Sequence, residues 1–380
     1  MKRIISLCLI TVLLVGALPL IGSAAPEVAA KSALLMDVAT GTILHEFNPH
    51  EKLPPASVTK VMTMLLIMEA IADGRLKWDD TVTASETAAA KGGSQIYLKE
   101  GETMSVEDMV KSIAVSSAND CACAMAEHLC GSEEAFVEKM NQRAQELGMA
   151  DTHFVNCTGL DDGPNGKDHV TSAYDIAILS RQLLKYHPEI TKFTTIWMDT
   201  VRGGQFGLSN TNKLVRFYDG ATGLKTGFTS NAGYCLSASA KREDLELVAV
   251  VMGSETSKDR FNACKALLDF GFSNYCLVQP EAEKLSVPVK LGQEKTVTAI
   301  PGQNTEFLIE KAQKSSIRIT TELEDAVSAP VSKGQRLGTM TVRSGEQILA
   351  QIPLVAERTV LKRTFSQLFL EMLKRLCYAK

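Results

Sequence analysis

A hydroxyl and an amine stand three residues apart at Ser57 and Lys60, directly after two prolines. Residues 57–72 contain no Gly or Pro, and the run at 61–68 carries apolar side chains on every side, which is typical of a buried helix. Residues three apart share a helix face, so the two side chains are expected to meet. Because burial favours a neutral amine and a helix N-terminus favours negative charge, the pair suits covalent catalysis by an activated hydroxyl.

The spacing by itself is weak support, because Ser is a common helix N-cap and Lys is usually solvated. A second motif, Ser117-Ala118-Asn119, lies between two stretches of helical pattern at 106–115 and 121–129. A loop between core helices can direct short polar side chains into a cleft. Read alone, however, this motif fits an ordinary polar helix cap better.

The third motif is Lys225-Thr226-Gly227, within a stretch at 220–229 that reads as a short strand. Side chains alternate across the two faces of a strand, and Gly227 permits the close approach of another backbone. This tripeptide is also common by chance. A catalytic role is favoured over coincidence because all three motifs occur in one chain and in this order.

Several elements are expected to position these motifs. The pattern at 30–45 predicts a β-hairpin, and the runs at 233–240 and 245–252 predict adjacent antiparallel strands. A helix is predicted at 259–270, with Arg260 near its start.

Composition limits the class of protein. The chain has 380 residues and a net charge of −4, which is enough length for two or three domains and argues against a general nucleic-acid binder. The first 25 residues have a basic start, an apolar core and small residues at 22–25, as in an export signal; a retained membrane anchor is the alternative. From residue 280 to 357, short β-type runs separated by Gly and Pro predict a separate all-β domain.

The C-terminal stretch at 360–380 has apolar residues at helical spacing together with basic residues. Charges inside the run argue against a spanning helix, so we expect an amphipathic helix that lies on a membrane surface. The alternative is a helix that packs back on the β domain.

The sequence predicts neither a metal site nor a cofactor. The six His are scattered, and zinc-type Cys pairs do not occur. We expect the cysteines that follow the signal to be mostly free and buried, because several fall in an Ala-rich helical run where Cys behaves as a small apolar residue. They lie at positions 121, 123, 130, 157, 235, 264, 276 and 377.

Together, the three motifs resemble those of the penicillin-binding D-alanyl-D-alanine carboxypeptidases, serine peptidases that trim peptidoglycan stem peptides. The likeness covers nearly the whole chain, and Ala118 stands where β-lactamases usually have Asp. The resemblance implies an α+β fold with a catalytic domain over 26–276, in which an antiparallel sheet is flanked by helices and a helical subdomain completes the active site. It also implies that the protein acts on the outer face of the cytoplasmic membrane, on stem peptides, with β-lactams as covalent inhibitors.

The resemblance also implies roles for single residues. Ser57 would attack the carbonyl of the penultimate D-Ala, and Lys60 would act as the general base, its pKa lowered by burial and by the charge of Lys225. Ser117 would pass the proton to the leaving amine. Asn119 would hold Lys60 and the substrate amide.

The remaining implied residues bind the substrate. The backbone amides of Ser57 and Phe228 would form the oxyanion hole. Thr226 and Arg260 would bind the terminal carboxylate, beside Lys225 and Gly227. The loop at 157–169 contains no Glu, the residue type with which class A β-lactamases activate water, so slow hydrolysis of penicillin is expected.

Three other functions stay open at this stage. A D,D-endopeptidase would cut crosslinks with the same residues. A β-lactamase is disfavoured by the missing loop Glu and the additional β domain. A non-catalytic cell-wall scaffold is disfavoured because all three motifs are intact.

Overall fold

The computed structural model describes residues 26–161, 165–279, 285–303 and 305–377. The predicted export signal therefore lies outside the described residues. The chain divides into two compact units, the first ending at Asn274 and the second beginning at Tyr275.

The first unit contains most of the helices and the larger antiparallel sheet. Its strands are β1 Ser32–Asp37, β2 Ile43–Phe47, β3 Thr81–Thr83, β4 Thr103–Ser105, β5 Met198–Val201, β6 Phe206–Ser209, β7 Ala221–Thr229, β8 Gly233–Arg242 and β9 Leu245–Ser254. Its α-helices are α1 Lys60–Ala72, α2 Glu86–Ala89, α3 Val106–Ser116, α4 Asn119–Cys130, α5 Glu133–Glu146, α6 Ala173–Tyr186, α7 Thr191–Thr194, α8 Leu214–Phe217 and α9 Ser257–Asn274. Short 3-10 helices span Ala56–Thr59, Gly166–Asp168 and Pro188–Ile190.

Five strands form the central sheet in the order β2-β1-β9-β8-β7, and every neighbouring pair is antiparallel. The predicted hairpin and the predicted pair of adjacent strands are both confirmed. Helices α6 and α9 pack on β9, and the inner strands are buried, since residues 247–252 are fully inaccessible to solvent. This sheet positions β7 at its edge, and β7 carries the third motif.

Helix α1 is the buried centre of the helical part. It contacts α3, α4, α5 and α6, so every side of it faces protein, which is why its residues are apolar all round. The α-helix begins at Lys60 rather than at Ser57, because residues 56–59 form a tighter 3-10 turn after Pro55.

Other elements differ from the patterns in their extent. The hairpin of β5 and β6 carries no clear alternation of apolar and polar residues, and the sequence did not predict it. The predicted helices at 106–115 and 121–129 are confirmed with slightly wider bounds. The cysteines at 121, 123, 157, 235 and 264 are free and buried, as expected, and those at 130 and 276 are free and partly buried.

The second unit is built almost entirely from strands. They are β10 Tyr275–Val278, β11 Leu285–Lys290, β12 Thr296–Pro301, β13 Phe307–Glu310, β14 Ile317–Leu323, β15 Val327–Ser328, β16 Arg336–Ser344 and β17 Gln347–Ala356, with a 3-10 helix at Lys311–Ser316. Six of them form a sheet in the order β14-β16-β17-β12-β11-β15, and β10 pairs with β13.

A last helix, α10, spans Phe365–Cys377. Its apolar residues are largely exposed, with Phe365 82% and Met372 61% accessible to solvent. Across the described ranges, none of the helices has both the length and the apolar character needed to cross a bilayer.

Candidate active site

The first motif brings its two side chains into contact. The Lys60 amine donates a hydrogen bond of 2.9 Å to Ser57 Oγ, across the junction between the 3-10 turn and α1. Lys60 is fully buried, whereas Ser57 is partly exposed. The hydroxyl can therefore meet a substrate while its partner amine stays out of water.

Burial sets the protonation state of Lys60. Loss of solvation lowers the pKa of Lys60 to about 7, and the Cys157 and Asp120 groups oppose this by raising it. A neutral amine at physiological pH is the form that can accept a proton from Ser57. The charge of Lys225 was expected to lower the pKa of Lys60. In the structure it is the pKa of Lys225 that is lowered well below its ordinary value, first by burial and then by the charge of Lys60.

The loop after residue 155 clamps this pair from one side. The Lys60 amine donates its second hydrogen bond to the Thr158 carbonyl at 2.8 Å. Gly159 has φ +86°, and a Cβ there would lie 1.8 Å from the Ala56 carbonyl oxygen, so only glycine lets the loop approach so closely. Asn156 accepts bonds from the backbone amides of Thr158 and Gly159 and thereby shapes this turn.

His169 supports the nucleophile turn from behind. Its Nδ1 accepts from the Val155 amide, which leaves Nε2 to donate to Thr59 Oγ1 at 2.8 Å. Thr59 in turn donates to the Ala56 carbonyl at 2.8 Å. Burial, with a smaller contribution from His153, lowers the pKa of His169 to about 4, so the ring is neutral at physiological pH. The structure buries His169 against the turn.

Ser117 and Asn119 lie at the junction of α3 and α4. Ser117 adopts left-handed backbone angles, φ 62°, which end α3, and α4 begins two residues later at Asn119. Both side chains are almost completely buried. The Asn119 amide nitrogen donates to the Gly92 carbonyl at 2.7 Å, while its Oδ1 is buried without a partner among the described residues.

That unpartnered oxygen is an acceptor ready for a substrate N–H, because a buried acceptor left unpaired costs free energy. The described hydrogen bonds join Asn119 to the 92–94 loop and do not join it to Lys60. Asn119 is therefore held by that loop in this structure, which differs from the expectation that it holds Lys60.

Strand β7 closes the other side of the site. A Cβ on Gly227 would lie 2.7 Å from the Pro55 carbonyl oxygen and 3.1 Å from the Ser57 nitrogen. The glycine of the third motif thus lets the edge strand lie directly against the nucleophile turn. The Ser57 amide therefore lies against β7, the strand whose next residue, Phe228, is expected to supply the second amide of an oxyanion hole.

The side chains of β7 point to different functions. Lys225 is buried and donates to the Thr226 carbonyl at 2.9 Å. Thr226 donates to Thr211 Oγ1 at 2.6 Å, a partner within the polar 210–212 segment that the sequence alone did not assign to the site. Phe228 is half exposed and stacks on Tyr234, so its ring lies on the surface.

Arg260 reaches β7 from α9. Its guanidinium donates to the Gly227 carbonyl at 2.8 Å and to the Cys235 carbonyl at 3.3 Å, and its Nε is buried without a described partner. Burial lowers its pKa below the ordinary value for arginine, yet the group remains charged at neutral pH. Arg260 therefore brings a positive charge close to the third motif and holds β7, the strand on which that motif lies.

The structure therefore brings the Lys60 amine to Ser57 Oγ and packs β7, held by Arg260, against the same turn, while Ser117 and Asn119 lie buried at the α3–α4 junction. The described residues include no cluster of three or more His, Cys, Asp or Glu side chains that could hold a metal ion. A serine hydroxyl bonded to a buried amine of lowered pKa, with positive charge nearby, can perform acyl transfer to serine.

Comparisons with known proteins agree with this chemistry. The family described as D-alanyl-D-alanine carboxypeptidase matches residues 21–256, and the one described as Penicillin-binding protein 5, C-terminal domain, matches residues 272–362. The chain is 42% identical over 379 residues to D-alanyl-D-alanine carboxypeptidase DacF of Bacillus subtilis (strain 168), with 96% of each chain covered.

Solved structures agree as well. Penicillin-binding protein 5 of Haemophilus influenzae superposes with a TM-score of 0.76 at 31% identity, covering 90% of this chain and all of that one. Penicillin-binding protein D2 of Listeria monocytogenes, in its ampicillin-bound form, gives a TM-score of 0.59 at 33% identity over 65% of this chain and all of that one. The chain therefore belongs to the D-alanyl-D-alanine carboxypeptidase family of penicillin-binding serine peptidases.

Proposed function

We propose that Ser57 is the nucleophile with which this carboxypeptidase removes the terminal D-Ala from pentapeptide stems of peptidoglycan. The observation that carries the proposal is the fully buried Lys60 amine, 2.9 Å from Ser57 Oγ and with a pKa lowered to about 7 by burial. An amine in this state can deprotonate the hydroxyl without help from a histidine.

In the proposed reaction, neutral Lys60 takes the Ser57 proton as Oγ bonds to the carbonyl carbon of the penultimate D-Ala. The amides of Ser57 and Phe228 stabilise the oxyanion, each worth roughly a hundredfold in rate. Ser117 passes the proton to the departing amine, so free D-Ala leaves and an acyl-Ser57 ester remains. Water then adds to the ester, releases the tetrapeptide and returns the proton to Ser57.

The substrate is held at both sides of the scissile bond. Asn119 Oδ1, buried without a described partner, accepts an N–H of the stem. Thr226 and Lys225 meet the terminal carboxylate, and Arg260 adds positive charge from behind Gly227. Recognition of a free carboxylate explains a preference for the end of a chain over an internal bond.

The direct test is digestion of purified pentapeptide precursor, followed by identification of the released amino acid. We expect free D-Ala from the wild type and none above background from Ser57→Ala. Ser344→Ala, a change of the same kind in the second unit, is the matched control and retains full activity. Release of D-Ala by Ser57→Ala, or cleavage of crosslinked muropeptides without action on linear pentapeptide, would contradict the proposal.

The same serine is the proposed site of β-lactam attack. The Listeria relative crystallised in an ampicillin-bound form supports this assignment. Because the 157–169 loop has no Glu to activate water, we expect the penicilloyl ester on Ser57 to persist. Intact-mass measurement after penicillin treatment should show one stable adduct, absent in Ser57→Ala; rapid turnover of penicillin would overturn this expectation.

We further propose that the protein is exported and acts at the outer surface of the cytoplasmic membrane. The signal-like residues 1–25 and the exposed apolar residues of α10 support this location. Full-length protein without its signal should float with anionic lipid vesicles, and truncation after residue 363 should abolish flotation. Equal flotation of the truncated chain would remove α10 as the anchor.

A further inference from the structure

Tyr97 is an exposed aromatic residue on a backbone conformation that few residues adopt. Its φ is 60°, in the left-handed region that favours glycine, and 68% of the residue is accessible to solvent. An aromatic side chain held in this way gains nothing from burial in return for the unfavourable backbone. The combination points to a role outside the fold itself.

Two charged groups hold the Tyr97 loop in place. From below, the buried Asp120 carboxylate accepts the backbone amides of Ile96, at 3.1 Å, and Leu98, at 3.0 Å. From the β5–β6 hairpin, the Arg202 guanidinium donates to the carbonyls of Ile96, at 2.8 Å, and Tyr97, at 3.3 Å. The backbone on both sides of Tyr97 is thus fixed, and the ring is presented rigidly.

Tyr97 lines an open cavity of about 550 Å³ together with Phe206 and Arg202. The Tyr97 and Phe206 rings meet edge to face with centroids 6.4 Å apart, and the Arg202 guanidinium lies 5.3 Å from the centre of the Phe206 ring. Lys99 and Gln205, both exposed, add polar groups to the rim. The cavity therefore has an aromatic wall and a polar edge.

Hydrogen bonds connect the Tyr97 loop to Asn119, a residue of the second motif. The loop that ends in Tyr97 begins at the Gly92 carbonyl, which accepts from the Asn119 side chain at 2.7 Å. The Ser94 carbonyl accepts the Asn119 backbone amide, also at 2.7 Å. Asn119 and Asp120, adjacent in α4, thus both bind the Tyr97 loop and fix it to the start of this helix.

We propose that the cavity lined by Tyr97, Phe206 and Arg202 is a subsite for an N-acetylated amino-sugar ring of the glycan to which the substrate stem peptide is attached. The inference rests on the proposed function, because it takes the stem peptide as the ligand of the neighbouring site. It adds the sugar as the part of the substrate that this subsite recognises.

The chemistry of the cavity favours a sugar over more peptide. One face of a pyranose ring carries C–H groups that pack on an aromatic face, while its hydroxyl and acetamide groups need polar partners at the rim. A rigid aromatic residue provides contact area with little loss of side-chain freedom on binding. Lys99 and Gln205 offer exposed polar groups to the sugar hydroxyl and acetamide groups, whereas an apolar peptide side chain has no group with which to bond them.

The experiment compares two substrates that end in the same D-Ala-D-Ala. One is a disaccharide-pentapeptide, and the other is a short acylated tripeptide without sugar. Tyr97→Ala is expected to lower kcat/KM about tenfold on the sugar-bearing substrate and to leave the short peptide unchanged, while Tyr97→Phe retains both activities. Tyr186→Ala, which removes another exposed tyrosine at the end of α6, is the matched control with no effect on either substrate.

A direct binding measurement separates this inference from the proposed function. Chemical shifts of the peptide-free disaccharide are followed on addition of wild-type protein and of Tyr97→Ala; we expect binding to the first and at least tenfold weaker binding to the second. Equal binding, or no binding by the wild type, overturns the subsite whether or not D-Ala is released. Loss of D-Ala release from both substrates by the wild type would instead overturn the proposed function.

Tyr97→Gly tests whether the left-handed backbone at residue 97 serves to hold the tyrosine ring in the cavity. The variant removes the ring and also relieves the unfavourable backbone angle. Glycine adopts φ 60° without cost, so this variant should unfold at the same or a higher temperature than the wild type and still lose binding of the disaccharide. A variant that loses sugar binding only in proportion to a lower Tm would show a structural role and contradict the subsite.

Discussion

The two units of the molecule bury different kinds of side chain. The first unit buries Lys60, Lys225, Arg260, Asp120 and His169, each less than a tenth exposed. Among the described residues of the second unit, the buried side chains are apolar, and most of them form one cluster that includes Val331, Leu337 and Ile352. One unit thus contains charged groups where water is excluded, and the other follows the ordinary pattern of a β core.

This difference shows where stability is given up for chemistry. A Lys60 pKa held near 7 instead of 10.5 corresponds to a cost on the order of 5 kcal/mol when the amine must be charged. The apolar core of the second unit carries no such penalty. Substitutions in the two units should therefore affect activity and stability in opposite ways.

The largest effect is expected from Lys60→Met. Acylation of Ser57 by a fluorescent penicillin should slow by about a thousandfold or more, because the base is lost. The free energy of unfolding at pH 6 should not fall, since an apolar chain of similar length replaces a buried amine that resists protonation. Stopped-flow acylation and chemical denaturation check the two halves. A variant that acylates normally, or that is several kcal/mol less stable, would break the comparison.

In the second unit, Ile352→Ala should have the reverse outcome. Ile352 is fully buried, so its truncation should lower the free energy of unfolding of that unit by about 3 to 4 kcal/mol. The acylation rate of Ser57 should stay within twofold of the wild type. Denaturation monitored alongside acylation tests this, with the exposed Ile348→Ala as the mild control.

His169 gives the first unit a dependence on acidic pH. Its folded pKa of about 4 lies below the ordinary value of 6.5, so between these values the unfolded chain binds a proton that the folded chain does not. Stability should therefore fall as pH drops from 6.5 to 4, by up to about 3 kcal/mol. Denaturation across this range for wild type and His169→Gln should show a shallower slope in the variant; identical slopes would exclude His169 as the cause.

The smallest effect is the pH profile of acylation itself. Lys60 works as a base only when neutral, so the rate should rise as pH increases through about 7 and then level off. Below that value the slope should be about tenfold per pH unit. An acylation rate independent of pH between 5.5 and 8.5 would show that burial does not lower the pKa of Lys60 to about 7.

Local spacing in the sequence was enough to predict much of the candidate site. Ser57 and Lys60 meet because three residues make one turn of helix, whether α or 3-10, so the contact survives the tighter turn that the structure has there. The apolar run behind them required a buried helix, and α1 is one. Arg260 was placed near the start of its helix, and α9 positions it there.

Contacts between distant segments could not be read in this way. The Thr158 carbonyl that holds Lys60 is a backbone group, and any residue type can supply it. The position of the His169 ring depends on its bonds with the Val155 amide and Thr59. The bond from Thr226 to Thr211 joins a strand to a loop. No local pattern encodes these partners.

The amino-acid sequence by itself determined which functional groups the protein has and which helix or strand carries each one, because periodicity and turn residues act over a few positions. Only the tertiary structure decided that the pKa of Lys60 is lowered to about 7, that Gly227 lies against the Ser57 turn, and that Tyr97 is exposed. The physical reason is that solvation and close packing depend on everything surrounding a group, and those surroundings come from parts of the chain as far apart as residues 57 and 227.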